Sequence, residues 1–258
     1  MTTPRLYILS RPSLGEGIGQ FLESVTAEWK EAVPATPAER LVEFAGRICY
    51  MSFGARQHRT DNLSYLTNLI VQGHESVLEH ANWTFLLTGI SRAFSHQLVR
   101  HRVGFSFSQL SQQYHDESEA TFVEPFGIES SPKALAAWQE AVASAKRAYS
   151  IIREEFQPSV GLQSSKELNR ATRSAARSVL PNATTTAIVV SANARSIRDF
   201  LRLRGAIEGD YEMRAVSKLL YDLMSKEAPN LVEDFLCSQY ADGSPVVQLR
   251  TANRDEKT

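Results

Sequence analysis

The stretch RSVLPNATTTAIVVSANARSIRDFLRLR, residues 177–204, contains the end of one helix, a strand and the greater part of a second helix. Pro181 ends the first helix, because proline lacks the amide hydrogen that a helix interior needs. The β-branched run Thr184–Ser191 predicts the clearest strand of the chain. Apolar residues recur at helical spacing over Arg195–Ala206, which predicts the second helix. A strand between two helices indicates a protein that mixes both kinds of element.

The elements on either side are predicted from the same periodicities and from their caps. Strands are predicted for Arg5–Leu9 and Ala81–Gly89, and helices for Ala38–Tyr50, from a Thr60–Asp61 cap through Val71, from Ser91 to about Arg102, from Ser131 to about Phe156, from Ser164 to Leu180 and for Tyr211–Glu227. Few strands and many helices, with no repeat or long linker, predict a single α+β domain over residues 1–258. Residues 253–258 are predicted to form a loose tail.

The composition limits the class of protein. The chain has 258 residues, is 43% hydrophobic and carries a net charge of −1, which is typical of a globular protein with a sizeable core. A dedicated nucleic-acid binder usually has a strong basic excess, so no nucleic-acid partner is expected. Two cysteines are too few for a disulfide scaffold, and no apolar run has the length of a signal peptide or a membrane span. We therefore expect a cytoplasmic protein without a membrane partner.

Five of the six histidines lie between His74 and His115, which raises the question of a metal site. His74 and His80 are six residues apart, and His96 and His101 are five apart. Two ligands on one helix face, as in zinc proteases, need a spacing of four. No pair of cysteines can complete such a site, so we expect no metal.

Catalysis by a cysteine nucleophile is not expected either. Cys49 lies on a predicted helix that looks buried, and Cys237 follows an apolar run. Buried cysteines usually pack without reacting. The motifs G-x-S-x-G, G-x-G-x-x-G and the P-loop are all missing, so hydrolase, Rossmann-type and kinase functions lack support.

Cationic and amide side chains are concentrated in one segment. Arg100-His101-Arg102 is predicted at the end of a helix, where the triplet could simply satisfy the last carbonyls and the helix dipole. It is followed by SFSQLSQQY, residues 106–114, which is dense in hydrogen-bonding groups. That composition is costly in a packed segment unless the groups have partners, and a polar ligand with phosphates and ring carbonyls would supply them.

A second basic cluster lies on and beside the helix predicted after the central strand, and comprises Asn193, Arg195, Arg198, Arg202 and Arg204. A solvated face is expected for Arg198 and Arg202, which share a stripe with Arg195. Arg173 and Arg177 form a further pair four residues apart. The planar guanidinium fork reads phosphates and carbonyl edges, but spacing alone does not choose among these arginines.

Taken together, these segments resemble the flavin-dependent thymidylate synthases. The similarity runs in order through LVEFAGRICY (41–50), GHESVLEH (73–80), RHR…S….S (100–111), RSVLPNATTT (177–186) and NARSIRDFLRLR (193–204). The family signature is Arg-His-Arg, two residues, Ser, four residues, Ser, one residue and Arg. A pattern of this length, accompanied by the other segments in the same order, is specific.

The resemblance implies a central twisted sheet, mixed or antiparallel, surrounded by helices in one α+β domain. It also implies a homotetramer with active sites at the subunit interfaces. The implied reaction is the methylation of dUMP at carbon 5 to give dTMP, with FAD as cofactor, NADPH as reductant and methylenetetrahydrofolate as carbon donor. That route needs no covalent bond between enzyme and uracil, in agreement with the expectation that neither cysteine is a nucleophile.

The resemblance also carries functional residues onto matching positions of this sequence. His74 and Arg204 are expected to act in catalysis, with Arg204 at the uracil edge, where a fixed cation stabilises negative charge on the ring carbonyls. The expected flavin ligands are Ser76, Arg100, His101, Arg102, Gln109, Asn193, Arg195 and Asp199. The expected nucleotide ligands are Gln97, Arg100, Ser111, Gln113, Arg177 and Arg204.

The sequence departs from the family pattern at three places. Three residues, 103–105, separate Arg-His-Arg from Ser106, where the family has two. Gln113 replaces the last arginine of the signature, and Asp199 stands where Asn or His is usual. The lost arginine removes a charge-assisted contact of roughly 1.5–3 kcal/mol. Two alternatives therefore remain, a UMP methylase of the kind found in nucleoside-antibiotic pathways and a catalytically inert flavin- or nucleotide-binding relative.

Overall fold

The structure, a computed structural model, describes residues 3–156 and 164–250. The helices are α1 (Gly17–Ser24), α2 (Pro37–Tyr50), α3 (Asn62–Val71), α4 (Arg92–Leu98), α5 (Pro132–Glu155), α6 (Ser165–Ala176), α7 (Ala194–Arg204) and α8 (Tyr211–Glu227). The strands are β1 (Arg5–Ser10), β2 (Asn82–Ser91), β3 (Phe105–Gln109), β4 (Thr185–Asn193), β5 (Phe235–Gln239) and β6 (Pro245–Leu249). Helices and strands are thus combined in one chain, as the sequence predicts.

The strands of the described residues form two sheets. One has four strands in the order β1, β2, β4 and β3. The other is an antiparallel pair of β5 and β6, with Phe235 opposite Leu249. Along β4 the residues alternate between half-buried and buried positions. The strand that is clearest in the sequence is therefore an inner strand of the larger sheet.

Two compact units can be distinguished from the contacts within the chain. The first comprises Met1–Arg5, Leu87–Arg100 and Phe107–Val189, and the second comprises Leu6–Leu86, His101–Ser106 and Val190–Thr258. Helices α4, α5 and α6 belong to the first unit, and the other helices and the β5–β6 pair belong to the second. Expected site residues occur in each unit.

Side-chain caps fix where several helices begin. Asp61 caps α3 by accepting a hydrogen bond of 2.8 Å from the amide of Ser64. Ser91 caps α4 in the same way through the amide of Phe94, at 3.0 Å. Ser131 caps α5. These are the cap residues that the sequence predicts, because their side-chain oxygens satisfy amides that have no partner within the helix.

The core of the second unit encloses an ion pair on α2. Arg47 and Glu43 are one helical turn apart, each with a side chain only 1% exposed, and Arg47 Nη2 lies 2.6 Å from Glu43 Oε1. Glu43 also accepts hydrogen bonds from Trp29 Nε1 at 3.0 Å and from Asn62 Nδ2 at 2.6 Å. Two buried charges are tolerated here because each is matched by an opposite charge and by further hydrogen bonds.

Some elements differ from their predictions. Helix α4 ends at Leu98 rather than at about Arg102, so Arg100-His101-Arg102 lies beyond the helix. The predicted helix Ser164–Leu180 is α-helical only to Ala176, and Arg177–Val179 forms a 3-10 turn. Helix α1, strand β3 and the β5–β6 pair have no counterpart among the predicted elements. The predicted tail, residues 253–258, lies outside the described residues.

Candidate active site

A histidine and an arginine from distant parts of the sequence are in direct contact in the second unit. Arg204, the last residue of α7, donates from Nε to Nε2 of His101 at 3.1 Å. The His101 ring packs edge-on against Phe200, with ring centroids 5.1 Å apart, and lies 6.0 Å from the ring of Phe105. Because Nε2 accepts this hydrogen bond, the proton of the neutral imidazole is on Nδ1. The guanidinium and the imidazole therefore hold each other in place.

The electrostatics of this pair keep the histidine neutral. Burial lowers the pKa of His101 below its usual value, and the positive charge of Arg204 lowers it further. Asp199 opposes these effects, but it is also paired with Arg202, at 2.8 Å. At neutral pH the local charge of the pair is therefore the single positive charge of Arg204.

The segment that is one residue longer than in the family signature packs on the start of α7. Ser196 Oγ donates to the carbonyl oxygen of Val103 at 2.8 Å, and the amide of Asn193 donates to the carbonyl oxygen of Gly104 at 3.3 Å. Gly104 has φ of 70°, a left-handed conformation that favours glycine. A Cβ at this position would collide with the side chains of Ser196 and Asn193. Glycine is therefore required here for both conformation and space.

Asn193 itself is largely occupied with holding the chain. Its Oδ1 accepts from the amide of Ser196 at 2.9 Å, so it caps α7, and it also lies 2.8 Å from Ser196 Oγ. The asparagine expected as a flavin ligand is thus a buried residue that connects α7 to the segment after Arg102. Ser196 is not among the expected site residues, although its position three residues after a cap residue is a usable signal.

Arg195 connects α7 to the 3-10 turn Glu75–His80, which carries Ser76. Arg195 Nη1 lies 2.6 Å from Glu79 Oε1, and its Nε lies 3.8 Å from Glu75 Oε2. The hydrogen bond that Arg195 donates to Glu79 raises the pKa of Arg195. Ser76 and the preceding His74 are exposed. The charge of Arg195 is balanced by two carboxylates, while Ser76 and His74 are open to solvent.

Arg100 and Arg102 are exposed arginines next to His101. Arg100 follows the end of α4 and belongs to the first unit, whereas Arg102 belongs to the second. In the part of the chain that the structure describes, neither guanidinium takes part in a hydrogen bond or an ion pair. Two forks that each offer five N–H donors are thus open to an anionic ligand.

Three of the polar residues expected at the site, Gln97, Gln109 and Ser111, lie in the first unit on α4, on β3 and after β3. Gln109 Nε2 donates to Ser95 Oγ of α4 at 2.8 Å and to Thr186 Oγ1 of β4 at 3.3 Å. Gln97, on α4, is half-buried and has interactions of its own. Ser111 accepts a hydrogen bond of 3.4 Å from the amide of Gln113. Gln109 therefore fixes β3 against its neighbours.

Gln113 lies against helix α6. Its Nε2 donates to Ser174 Oγ at 3.2 Å, and its Oε1 accepts from Arg170 Nε, also at 3.2 Å. Arg177 is the first residue of the 3-10 turn after α6 and is half-buried. Burial of Arg92 lowers its pKa, and the positive charge of Arg177 lowers it further. The replacement of the signature arginine thus has a visible consequence, because the glutamine holds an arginine from α6. Arg170 is absent from the expected site residues.

Several expectations about neighbouring residues are corrected. Arg198 is not on a solvated face, since it is 7% exposed and forms a fork with Asp234 at 2.6 and 2.7 Å. Arg202 is exposed, as expected. Cys49 and Cys237 are both exposed, so the expectation of a buried Cys49 is wrong. Within residues 3–156 and 164–250, no group of three or more His, Cys, Asp or Glu side chains is arranged to hold a metal ion.

The expected site residues thus form separate groups within the units. In the second unit His101, Arg204 and Asp199 interact, and Asn193 and Arg195 hold the start of α7. In the first unit Gln109 and Gln113 are bound to neighbouring helices. Exposed arginine forks and an arginine fixed by a neutral histidine have the chemistry of an enzyme that handles anionic ligands.

Comparison with known proteins identifies the family. The family model described as thymidylate synthase complementing protein matches residues 32–230. The chain is 42% identical to a flavin-dependent thymidylate synthase from Mycolicibacterium vanbaalenii over 208 residues, which cover 80% of this chain and 83% of the relative. It is 40% identical to proteins of the same name from Mycolicibacterium gilvum, over 229 residues, and Mycobacterium tuberculosis, over 228 residues, each alignment covering 88% of this chain and 90% of the relative. The chain therefore belongs to this family and is an enzyme of the flavin-dependent thymidylate synthase type.

Among the described helices, none combines the length and the apolar character that crossing a membrane requires.

Proposed function

We propose that this enzyme methylates carbon 5 of dUMP to give dTMP, with methylenetetrahydrofolate as the carbon donor and NADPH as the reductant. The names of the relatives support the product, and the resemblance in sequence supports the donor and the reductant. The structural observation that carries the proposal is the pairing of Arg204 with His101. The proposed reaction builds negative charge on a uracil ring, and a fixed cation is the group that such a ring requires.

The role proposed for Arg204 follows from how its guanidinium is bonded. Only Nε has a hydrogen-bond partner in the described part of the chain, which leaves both terminal nitrogens for a ligand. A planar fork with two free N–H groups can read a carbonyl edge and stabilise charge on its oxygens. His101 accepts the Nε hydrogen bond only while it is neutral, so it keeps the fork in one orientation. We assign Arg204 to the uracil edge and His101 to positioning Arg204.

The donors present fit an anionic cofactor such as FAD. Arg100 and Arg102 offer exposed guanidinium forks, and Ser76 offers an exposed hydroxyl close in sequence to His74. Charge-assisted hydrogen bonds from such forks are the usual means of holding a pyrophosphate. We propose that these residues hold the flavin and that Asn193 and Arg195 keep the start of α7 in place behind them. Electron transfer, which the chain's own side chains cannot perform, is the chemistry that a bound flavin supplies.

UMP is the second candidate substrate, and two observations favour it. Gln113 replaces the arginine of the signature and is bonded to α6, and Gly104 belongs to a segment one residue longer than in the family pattern. Both changes alter the expected nucleotide site, and an altered site would accommodate the ribose 2′-hydroxyl that distinguishes UMP from dUMP. The proposal keeps dUMP first, because the relatives with matching sequence are named thymidylate synthases.

One experiment tests the proposal directly. Purified protein is supplied with FAD, methylenetetrahydrofolate and NADPH, and is offered dUMP and UMP in separate reactions. We expect FAD binding with a shifted absorption spectrum, and dTMP as the product identified by mass spectrometry. Turnover of UMP equal to or above that of dUMP would replace dUMP with UMP in the proposal. A protein that binds no FAD by calorimetry would contradict the proposal as a whole.

A further inference from the structure

A basic cavity lies beside Gln113 in the first unit. It has a volume of about 270 Å³ and is lined mainly by residues of α6 and by the end of the signature segment. Its lining includes Lys166, Asn169, Arg170, Arg173, Gln113 and Tyr114, and no carboxylate. The cavity is close to the lower end of the size range of small-molecule sites. Its polar lining favours an anion.

The three cations lie on one face of α6. Lys166, Arg170 and Arg173 follow one another at spacings of four and three residues, which bring side chains to neighbouring positions on a helix. Like charges at these spacings destabilise a helix unless an anion lies between them. Within the described residues, none of the three forms a salt bridge. Asp116, whose pKa Arg173 helps to lower, is ion-paired with Arg153 at 2.8 Å. The positive charge of this face is therefore largely uncompensated.

Neighbouring groups orient two of these cations. Gln113 Oε1 accepts from Arg170 Nε at 3.2 Å, and the Arg170 guanidinium lies 5.7 Å from the centre of the Tyr114 ring. Arg173 Nη1 donates to the carbonyl oxygen of Tyr114 at 2.9 Å. The terminal nitrogens of Arg170 have no hydrogen-bond partner in the described parts of the chain. Gln113 is fixed in turn by its bond to Ser174.

We propose that this cavity binds the phosphate monoester of the nucleotide substrate, and that Arg170 supplies from α6 the guanidinium that the signature has at position 113. Gln113 is then a positioning residue that aims Arg170 through its amide oxygen. Lys166 and Arg173 add positive charge to the same site. The identity of the nucleotide rests on the proposed function, whereas the recognition of a phosphate rests on the cavity itself.

The test measures binding by calorimetry on the flavin-saturated full chain, with dUMP, deoxyuridine and inorganic phosphate as separate probes. Arg170→Gln should weaken dUMP by about 10- to 100-fold, the range expected for one charge-assisted contact, and should leave deoxyuridine unchanged. Arg170→Lys should recover only part of the loss, because an ammonium lacks the fork. Arg147→Gln, a change at an exposed arginine of α5 outside the cavity lining, is the matched control and should change nothing.

A double variant tests whether Arg170 replaces the signature arginine. Arg170→Gln combined with Gln113→Arg moves the guanidinium to the signature position and should restore most of the affinity for dUMP. A drop of less than about threefold in Arg170→Gln, or an equal loss for dUMP and deoxyuridine, would overturn the proposal. So would the absence of binding of both dUMP and phosphate to the wild type.

The outcomes separate this proposal from the proposed function. Phosphate binding that depends on Arg170, in a protein that methylates no nucleotide, would keep the cavity and refute the activity. A folded Arg170→Gln variant that methylates dUMP and binds it with unchanged affinity would keep the activity and refute the role of the cavity. Circular dichroism of each variant establishes that it is folded, and Arg170 is exposed, so its substitution leaves the core intact.

Discussion

At the scale of single residues, the contact between Arg204 and His101 links a proton equilibrium to the position of a guanidinium. In Arg204→Ala we expect the pKa of His101 to rise towards its ordinary value, because a neighbouring positive charge is removed while part of the burial remains. Measurement of the His101 ring signals by NMR over a pH series tests this. An unchanged pKa would show that Arg204 does not act on the imidazole.

The direction of the shift also fixes how His101 affects stability with pH. Its pKa is lower in the folded protein than in the unfolded chain, where it is about 6.5. Just below pH 6.5 the unfolded state therefore binds more protons than the folded state. The contribution of His101 to the free energy of unfolding is complete above about pH 6.5, and it is lost as the pH falls towards the pKa of His101 in the folded protein. In Arg204→Ala the loss of stability on acidification should be smaller.

Arg204→Ala should also reduce turnover more than it reduces flavin binding. The reason is that the proposed contact is with the uracil, and a contact that strengthens as charge develops acts on kcat. Arg204→Lys should not restore the rate fully, because a lysine has no planar fork and no Nε for His101 to accept from. Normal rates in Arg204→Ala would show that the role assigned to this residue is wrong.

Removal of one partner of the buried ion pair on α2 is predicted to destabilise the protein strongly. Arg47→Met leaves the Glu43 carboxylate buried without its cation, and we expect a loss of about 3–5 kcal/mol in the free energy of unfolding. The matched control is Arg40→Met on the same helix, where the pair with Glu31 is partly exposed and the loss should be below about 1 kcal/mol. Urea titrations of both variants provide the comparison, and equal losses would contradict the argument.

The sequence predicts single residues well where their surroundings are local and poorly where a partner is distant. Asp61 and Ser91 are predicted as caps because a cap depends on the next three residues. The burial of Arg198 is not predictable in this way, because its partner Asp234 lies 36 residues further along. Arg204 is expected at a site only through the resemblance, and its contact with a histidine 103 residues away is visible only in the fold.

At the scale of elements, the connection between the segment after Arg102 and α7 depends on one glycine. Gly104→Ala should destabilise the protein, because it imposes a left-handed φ on alanine and a collision with Ser196. The matched control is Gly209→Ala, where φ is 72° but the added Cβ meets open space. The conformational cost, about 1–3 kcal/mol, should be common to both, and the collision should add about 1–3 kcal/mol at Gly104 alone. Thermal unfolding compares the two, and a control that loses as much would refute the steric part.

Long periodic elements are recovered from the sequence, whereas several short ones, such as β3, are not. Helix α8 has the predicted bounds, and β4 differs from its prediction by one residue at the start and two at the end. Strand β3 alternates half-buried and exposed residues over only five positions, and its serines and glutamine have little strand propensity of their own. Gln109 holds it through Ser95 of the preceding helix α4 and through Thr186 of β4, which is 77 residues further along. Elements held by such contacts cannot be read from local patterns.

At the scale of the whole molecule, the chain passes repeatedly between the two units. The boundaries fall after Arg5, Leu86, Arg100, Ser106 and Val189. Each of the strands β1 to β4 contains one of these boundaries. Only the boundary after Arg100 falls in a connection, the one between α4 and β3, and the other four fall inside strands. We therefore propose that the chain unfolds as a single domain. Far-UV and near-UV circular dichroism should give one coincident transition in urea. Two separate transitions would contradict a single domain.

Exposed apolar side chains next to expected site residues bear on how the chain assembles. Two of the most exposed large apolar side chains are Val103, 82% exposed, and Leu203, 59% exposed, and they are adjacent in sequence to Arg102 and Arg204. The resemblance in sequence implies a homotetramer with active sites at the subunit interfaces, and an apolar residue beside an expected site residue is what a subunit contact would cover. We therefore expect a particle with four times the 28.8 kDa mass of the chain.

Light scattering after size-exclusion chromatography measures this mass. Leu203→Asp should lower both the mass and the turnover, because a buried unpaired carboxylate disfavours the contact. Leu203→Met, which keeps the volume and the apolar character of the side chain, should retain the tetramer and the rate. A wild-type protein that turns over fully as a monomer would rule out shared active sites, and a Leu203→Asp variant that remains tetrameric would place the contact elsewhere.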